Sequence, residues 1–220
     1  MTENGKRVLW TGNVLIAAFA VWTVLVQIVD VQPIGPNAAK VGFAVFNGWF
    51  HQWTGVHMTL YTVPDWLGLV PILICVVFSG IGLIQLVKRR SIFKVDRDIL
   101  FLGAYYIAVI SGYLFFEMVP INFRPVLIEG RQEASYPSST TLLVLSVMPT
   151  LAEQIKRRSQ DPTIKKLIHI FVVCFSAFMV VCRLVSGVHW FTDIVGAILL
   201  SASLFCMYKA SVLLHKKREH

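Results

Sequence analysis

The chain has 220 residues, 56% of them hydrophobic and only 15% charged, and its mean hydropathy is +0.68. Soluble domains carry about 25% charged residues, so the composition points to a membrane protein and away from a soluble enzyme. The net charge of +8 does not imply nucleic acid. Its Lys and Arg residues fall in short clusters between apolar stretches, as in cytoplasmic loops.

A hydrocarbon core of about 30 Å needs roughly 20 apolar residues per helix. Six candidate spans are predicted, at about 8–29, 66–87, 99–119, 138–155, 167–186 and 188–213. The first apolar run is too long for a signal-peptide core and reads as a retained transmembrane helix. No internal repeat interrupts the series, so the expectation is one membrane-embedded domain over 1–220. The predicted fold class is all-α, a six-transmembrane-helix bundle.

Between the first two spans lies PNAAKVGFAVFNGWFHQWTGVHMTLY. Phe43, Phe46, Trp49, Phe50 and Trp53 recur there at three- and four-residue intervals, as on one helix face. Aromatic residues at a membrane–water boundary predict an interfacial helix on the outer leaflet. His51 and His57 read as interfacial polar residues.

Sixteen of the 20 Lys and Arg residues fall on one side of this layout. They are Lys6 and Arg7, the group Lys88–Arg97, the group Lys156–Lys166, and Lys209 with Lys216, Lys217 and Arg218. The positive-inside rule makes both termini cytoplasmic. Lys40, Arg124, Arg131 and Arg183 run against the bias and fall outside. The four cysteines (Cys75, Cys174, Cys182 and Cys206) sit in apolar segments without metal-ligand spacing and read as small buried hydrophobes.

The segment CRLVSGVHWFTDIVGA places Arg183, His189 and Asp193 inside an apolar run. An ionised side chain at the bilayer centre costs roughly 2.5–3.5 kcal/mol on insertion scales, so such residues need a partner or a task. Gly187 predicts a turn, with the last helix starting near His189. His189 and Asp193 would then share a helix face, the carboxylate fixing one imidazole nitrogen and freeing the other as nucleophile or base. Arg183 offers a planar fork of donors for an oxyanion.

A second outer segment, EMVPINFRPVLIEGRQEASYPSSTT, brings Arg124 before Pro125 and leads through Ser138 and Ser139 into the fourth span. Either serine can cap that helix, whose N–H groups and dipole favour an anion. Two arginines, a helix N-terminus with hydroxyls and an oriented imidazole together suit a phosphate group.

The spacing Arg-Pro, Pro-Ser-Ser and Arg-x5-His-x3-Asp resembles the type 2 phosphatidic acid phosphatase superfamily. That signature reads Lys-x6-Arg-Pro, Pro-Ser-Gly-His and Ser-Arg-x5-His-x3-Asp. The resemblance implies that Arg124, Ser138 and Arg183 bind phosphate and that Ser139, in the Gly position, offers a backbone N–H. It implies that His189 forms a phosphohistidine and that Asp193 orients it, with no metal and no cofactor. Cys182 replaces a serine. Glu117 stands in the Lys position, and Thr140 stands where the family has the His that protonates the leaving group. General acid catalysis is commonly worth 10²–10⁴-fold, and a threonine hydroxyl is too weak an acid to supply it.

Three expectations follow for the function. One is hydrolysis of a membrane lipid phosphate or diphosphate at the outer face of the cell membrane. A polyprenyl diphosphate fits because its phosphate leaving group departs without a proton. In a second, Glu117 replaces the acid, its pKa raised by burial, or instead only pairs with Arg124. In the third, the protein binds, transports or scaffolds a lipid phosphate without cleaving it. The partners expected are that lipid and the surrounding membrane, not nucleic acid.

Overall fold

The computed structural model describes residues 3–215. Lys216, Lys217 and Arg218 of the closing basic cluster lie outside the described residues. Among the described residues eight α-helices follow in chain order: α1 (Glu3–Ile28), α2 (Ala44–Thr54), α3 (Met58–Leu67), α4 (Leu69–Arg89), α5 (Arg97–Met118), α6 (Ser139–Arg158), α7 (Pro162–Val185) and α8 (Phe191–His215). No strand forms among the described residues, only three isolated bridges in the connecting segments.

Among the described residues, five helical stretches are long and apolar enough to cross a membrane: α1, α3 with α4 as Met58–Arg89, α5, α7 and α8. They carry exposed Val, Ile, Leu and aromatic side chains, including Trp10, Leu73, Val76, Ile107 and Val173, that water would not solvate favourably. The chain is a multi-pass membrane protein. The second span begins eight residues earlier than the sequence pattern indicates. α3 meets α4 at Gly68, between Pro64 and Pro71, whose missing N–H groups interrupt the hydrogen-bond ladder.

The fourth predicted span differs from the others. α6 is the long helix missing from that apolar set. It buries Thr140, Thr141, Ser146, Thr150 and Gln154. All but the Ser146 hydroxyl find hydrogen-bond partners inside the bundle. Tyr106 shares a 2.8 Å hydrogen bond with Thr150, Tyr105 donates to the Ser146 carbonyl at 2.9 Å, and Gln154 donates to Tyr208 at 3.1 Å. A helix with a polar spine is stable there because protein, not lipid, surrounds it.

α1 packs along α8. Its buried residues, Gly5, Gly12, Phe19 and Val26, recur every seven positions and form one seam. Gly12 permits close approach, since a Cβ there would meet Met207 and Cys206 at 3.2–3.3 Å. On α8, Gly196 lies directly under the ring of Tyr136, which is 1% exposed and shares a 2.7 Å hydrogen bond with Thr23.

The helix ends sort into two poles. At one pole Arg89 pairs with Asp96 at 2.7 Å, joining α4 to the start of α5, and Arg158 with Asp98 at 2.8 Å, joining α6 to α5, while Arg157 pairs with Glu153 within α6 at 2.9 Å. At the opposite pole, α2 lies beside the start of α8, with Phe46 and Phe50 against Phe191 at 5.2 and 5.3 Å. Trp49 and Trp53 stack on the exposed side. Phe43 is not part of that outward face: it precedes α2 with a positive φ of 49° and stacks on Trp22.

Gly196 and Gly103 give a stability test with opposite signs. A Cβ at Gly196 would fall 2.5–2.8 Å from Tyr136 ring atoms, and overpacking of this kind costs about 1–3 kcal/mol. Gly103, in α5, has nothing within 4 Å of the same added atom, and Ala is favoured over Gly in a helix by about 1 kcal/mol. Thermal unfolding in one detergent should show Gly196→Ala lowered and Gly103→Ala unchanged or raised.

Candidate active site

The pole opposite the ion pairs gathers the residues singled out from the sequence, each delivered by a different element. Arg183 lies in the last turn of α7, and its side chain is 1% exposed. Its Nη2 donates to Asp65 Oδ1 at 2.6 Å and also to Thr140 Oγ1. Its Nε–H and Nη1–H groups have no acceptor. A buried charge of this kind is stabilised only when paired. Asp65 supplies the opposite charge, from the otherwise apolar Met58–Arg89 stretch.

Arg124 sits in the α5–α6 connection, 8% exposed. Its backbone N–H donates to the Glu133 carbonyl at 3.0 Å, and its Nε lies 3.1 Å from Glu133 Oε2. The Nε contact is an ion pair without hydrogen-bond alignment, so Nε–H and Nη1–H remain without acceptors. Arg124 therefore takes Glu133 as its carboxylate partner, which corrects the expected pairing with Glu117. Glu117 is exposed near the end of α5, so the burial expected of a replacement acid is absent.

One aromatic ring brings the two arginines together. The guanidinium carbons of Arg183 and Arg124 lie 4.6 and 5.5 Å from the ring centroid of Tyr61. The electron-rich ring face attracts both cations and offsets part of their mutual repulsion. Tyr61 and Asp65 are four residues apart on α3, hence on one face.

At the start of α6, Ser138 occupies the N-cap position without a side-chain bond to a helix N–H. Its hydroxyl instead donates to Thr141 Oγ1 at 3.1 Å, and its backbone N–H donates to the Asp193 carbonyl at 3.2 Å. The expected serine cap is thus replaced by a hydroxyl pair. Ser139 is the first helical residue, and the first helix-closing bond runs from Leu142 N–H to the Ser138 carbonyl. The N–H groups of the preceding turn have no intrahelical acceptor, and the dipole there favours an anion. Thr140 accepts from Arg183 and so positions that guanidinium.

His189 lies in the 186–190 loop before α8, not on the helix, because α8 begins at Phe191. Its Nδ1 lies 3.2 Å from the Ser135 carbonyl and 3.7 Å from Asp193 Oδ2. The carbonyl is the hydrogen-bond acceptor of Nδ1–H, and this tautomer leaves the Nε2 lone pair free. Nε2 is buried without a partner. Asp193, 0% exposed, spends its oxygens on Trp190 N–H at 3.0 Å and Asn122 Nδ2 at 3.1 Å. The sequence reading has Asp193 hold the imidazole directly. In the fold Ser135 holds the ring, while Asp193 shapes the loop and sets a negative charge nearby.

The loop is clamped on several sides. Gly187 has φ +69° and approaches the Gly55 backbone so closely that no side chain fits. His51 shares a 3.1 Å hydrogen bond with the Gly187 carbonyl, and His57 N–H donates to Ser186 O at 2.9 Å. Trp190 Nε1 donates to the Phe123 carbonyl at 2.8 Å.

Tyr61, Asp65, Asn122, Glu133 and the Ser135 carbonyl escape the sequence reading. Asp65, a lone carboxylate in an apolar stretch, is the one that a search for intramembrane charges would have flagged. Among the described residues no cluster of three His, Cys, Asp or Glu side chains has the makings of a metal site.

Burial pushes the His189 pKa down to about 4. The positive charges of Arg124 and Arg183 act in the same direction, and Asp193 opposes them. The imidazole is therefore neutral across the physiological range, as a nucleophile must be. A folded-state pKa below the ordinary 6.5 means that the unfolded chain binds the proton more tightly. The resulting stability is intact above pH 6.5 and is lost as pH falls through the window to about 4, a swing of about 3 kcal/mol. Replacing His189 by Gln should flatten this part of the pH profile of thermal unfolding, while leaving acid effects of the carboxylates in place.

The family model of the PAP2 superfamily matches residues 75–216. No curated protein matches the chain in sequence. The crystal structure of a transmembrane PAP2-type phosphatidylglycerolphosphate phosphatase from Bacillus subtilis superimposes with a TM-score of 0.61 at 17% identity, covering 93% of this chain and 96% of that one. The likeness in fold thus extends well beyond the matched segment, and the matched segment itself contains Arg124, Thr140, Arg183, His189 and Asp193. The chain belongs to the PAP2 superfamily.

Proposed function

We propose that the protein hydrolyses a phosphate or diphosphate group from a membrane lipid through a phosphohistidine on His189. The observation that carries this reading is the set of unpartnered nitrogens at one pole: His189 Nε2 with Nε and Nη1 of both Arg124 and Arg183. Unsatisfied buried polar groups are costly, and their convergence fits a site built for an anion. The bound phosphoryl oxygens would take the arginine N–H groups and the free N–H groups at the start of α6. Ser138 and Ser139 belong to that helix start. His189 Nε2 would attack phosphorus, the bond to the leaving oxygen would break, and water would then release phosphate from the histidine.

The chemistry of position 140 shapes the choice of substrate. Thr140 cannot protonate a lipid alkoxide. A diphosphate does not need that proton, because its leaving group is a phosphate monoester. A polyprenyl diphosphate therefore suits the site better than a monophosphate. The Bacillus subtilis neighbour is named for phosphatidylglycerolphosphate, which puts a lipid monophosphate on the panel for comparison. A binding or scaffold role is favoured by a different observation: Glu133 and Asp65 already neutralise the two arginines.

Phosphate release from purified protein, measured on matched polyprenyl diphosphate and lipid monophosphate substrates, separates these readings. The diphosphate should be preferred, and His189→Ala should lose activity by several orders of magnitude. Thr140→His should recover part of a roughly 10²–10⁴-fold deficit on monophosphates. A parent protein that binds both substrates and cleaves neither supports the binding role.

The same reading places all six spans, α6 included, across the cell membrane, with both termini cytoplasmic and His189 opening outside. Its support is the clustering of basic residues at the pole opposite the site. In a background lacking the native cysteines, a membrane-impermeant thiol reagent should label Arg131→Cys from outside and leave Arg157→Cys unlabelled. The reverse pattern inverts the topology.

A further inference from the structure

The mechanism above leaves one half-reaction without a proton acceptor. Hydrolysis of a phosphohistidine needs a base for the attacking water, and two other polar groups of the site are poor choices. Thr140 has no useful basicity, and its oxygen is engaged by Arg183. Asp193 is sealed from water and bonded to Asn122 and Trp190.

Asp65 differs from both. Its side chain is 52% exposed, while the guanidinium it grips is 1% exposed, so the carboxylate stands at the rim of the buried site, near one end of the Met58–Arg89 stretch. It bonds the same Nη2 atom as Thr140 Oγ1, one hydrogen-bond step from the start of α6. Using only Nη2 for these contacts leaves Arg183 Nε and Nη1 for the phosphoryl group. Tyr61, one turn earlier on α3, lies against both guanidiniums and fixes that face of α3 toward the site. A carboxylate kept merely to neutralise Arg183 would not need to stand open at that rim.

We infer that Asp65 is the general base for the second half-reaction, an inference that rests on the phosphohistidine reading above. The Asp65 carboxylate takes a proton from water. The water oxygen forms the new bond to phosphorus as the P–Nε2 bond breaks and its electron pair returns to the imidazole. Inorganic phosphate leaves, and Asp65 gives the proton to solvent. The first half-reaction needs no proton from Asp65 when the leaving group is a phosphate monoester.

The test uses farnesyl diphosphate labelled with ³²P in the distal phosphate as probe, with full-length protein in detergent. The parent should turn over with little labelled protein. Asp65→Asn should release about one equivalent of farnesyl monophosphate in a rapid burst, then slow by roughly 10²–10⁴-fold. It should accumulate an acid-labile, alkali-stable label near one equivalent. Asp65→Glu should turn over faster than Asp65→Asn and hold less label, and His189→Ala should take up none. The burst itself shows that Asp65→Asn is folded. Loss of burst and turnover together in Asp65→Asn would reduce Asp65 to a partner that orients Arg183 and overturn the inference. Unchanged turnover would overturn it too, as would label accumulating in Glu133→Gln instead. A parent that neither releases phosphate nor takes up label overturns the hydrolase reading, and this inference with it.

Discussion

A guanidinium that water barely reaches, in a bundle whose outer surface is apolar, governs the arrangement of this protein's polar pole. Arg183 is 1% exposed, and an uncompensated charge there would cost several kcal/mol. The fold meets that cost with three contacts from two other helices: the Asp65 carboxylate and Tyr61 ring from α3, and the Thr140 hydroxyl from α6. Because α7 supplies the arginine, the charge pins three helices to one another. The compensation is incomplete: Nε and Nη1 stay unpartnered, as do two nitrogens of Arg124 and one of His189. This residual demand for an acceptor is the basis for proposing an anion site at this pole and not merely a buried ion pair.

The rest of the bundle keeps that demand from relaxing. α6 carries its N-terminus into the site and stays in place through its polar spine, where tyrosines of α5 and α8 bond the Ser146 carbonyl and the Thr150 and Gln154 side chains. α8 is held against α1 by the Gly12 seam and against Tyr136 at Gly196. The His189 loop is gripped from the α2–α3 side by His51 and His57, and from the α5–α6 connection by Ser135 and Phe123. With its neighbours fixed in this way, the imidazole has little freedom to turn its free nitrogen elsewhere. Preorganisation of this kind is where much catalytic power resides.

The α2 segment shows how one stretch serves two environments. Its exposed side stacks Trp49 on Trp53, while its inner side sets Asn47 between the Gly42 carbonyl and Thr192 Oγ1 and carries His51 to the Gly187 carbonyl. An aromatic face suited to the boundary of a membrane is thereby coupled, through two polar side chains, to the loop that presents His189.

Local sequence determined the all-helical membrane fold, because apolar runs of about 20 residues have few other stable arrangements in lipid. It also determined the clustering of basic residues and the three short motifs that carry the family resemblance, since spacing along a chain survives without any knowledge of packing. Tertiary structure alone decided who partners whom. Glu133 rather than Glu117 meets Arg124, and Ser135 rather than Asp193 takes the imidazole N–H. Asp65 reaches Arg183 across 118 positions of sequence. These are contacts between elements, fixed by helix packing and by irregular connections such as 119–138, which have no periodicity to read. The polar spine of α6 belongs to the same class: its residues look like a weak span in sequence and become a buried, hydrogen-bonded core only once α5 and α8 supply their tyrosine hydroxyls.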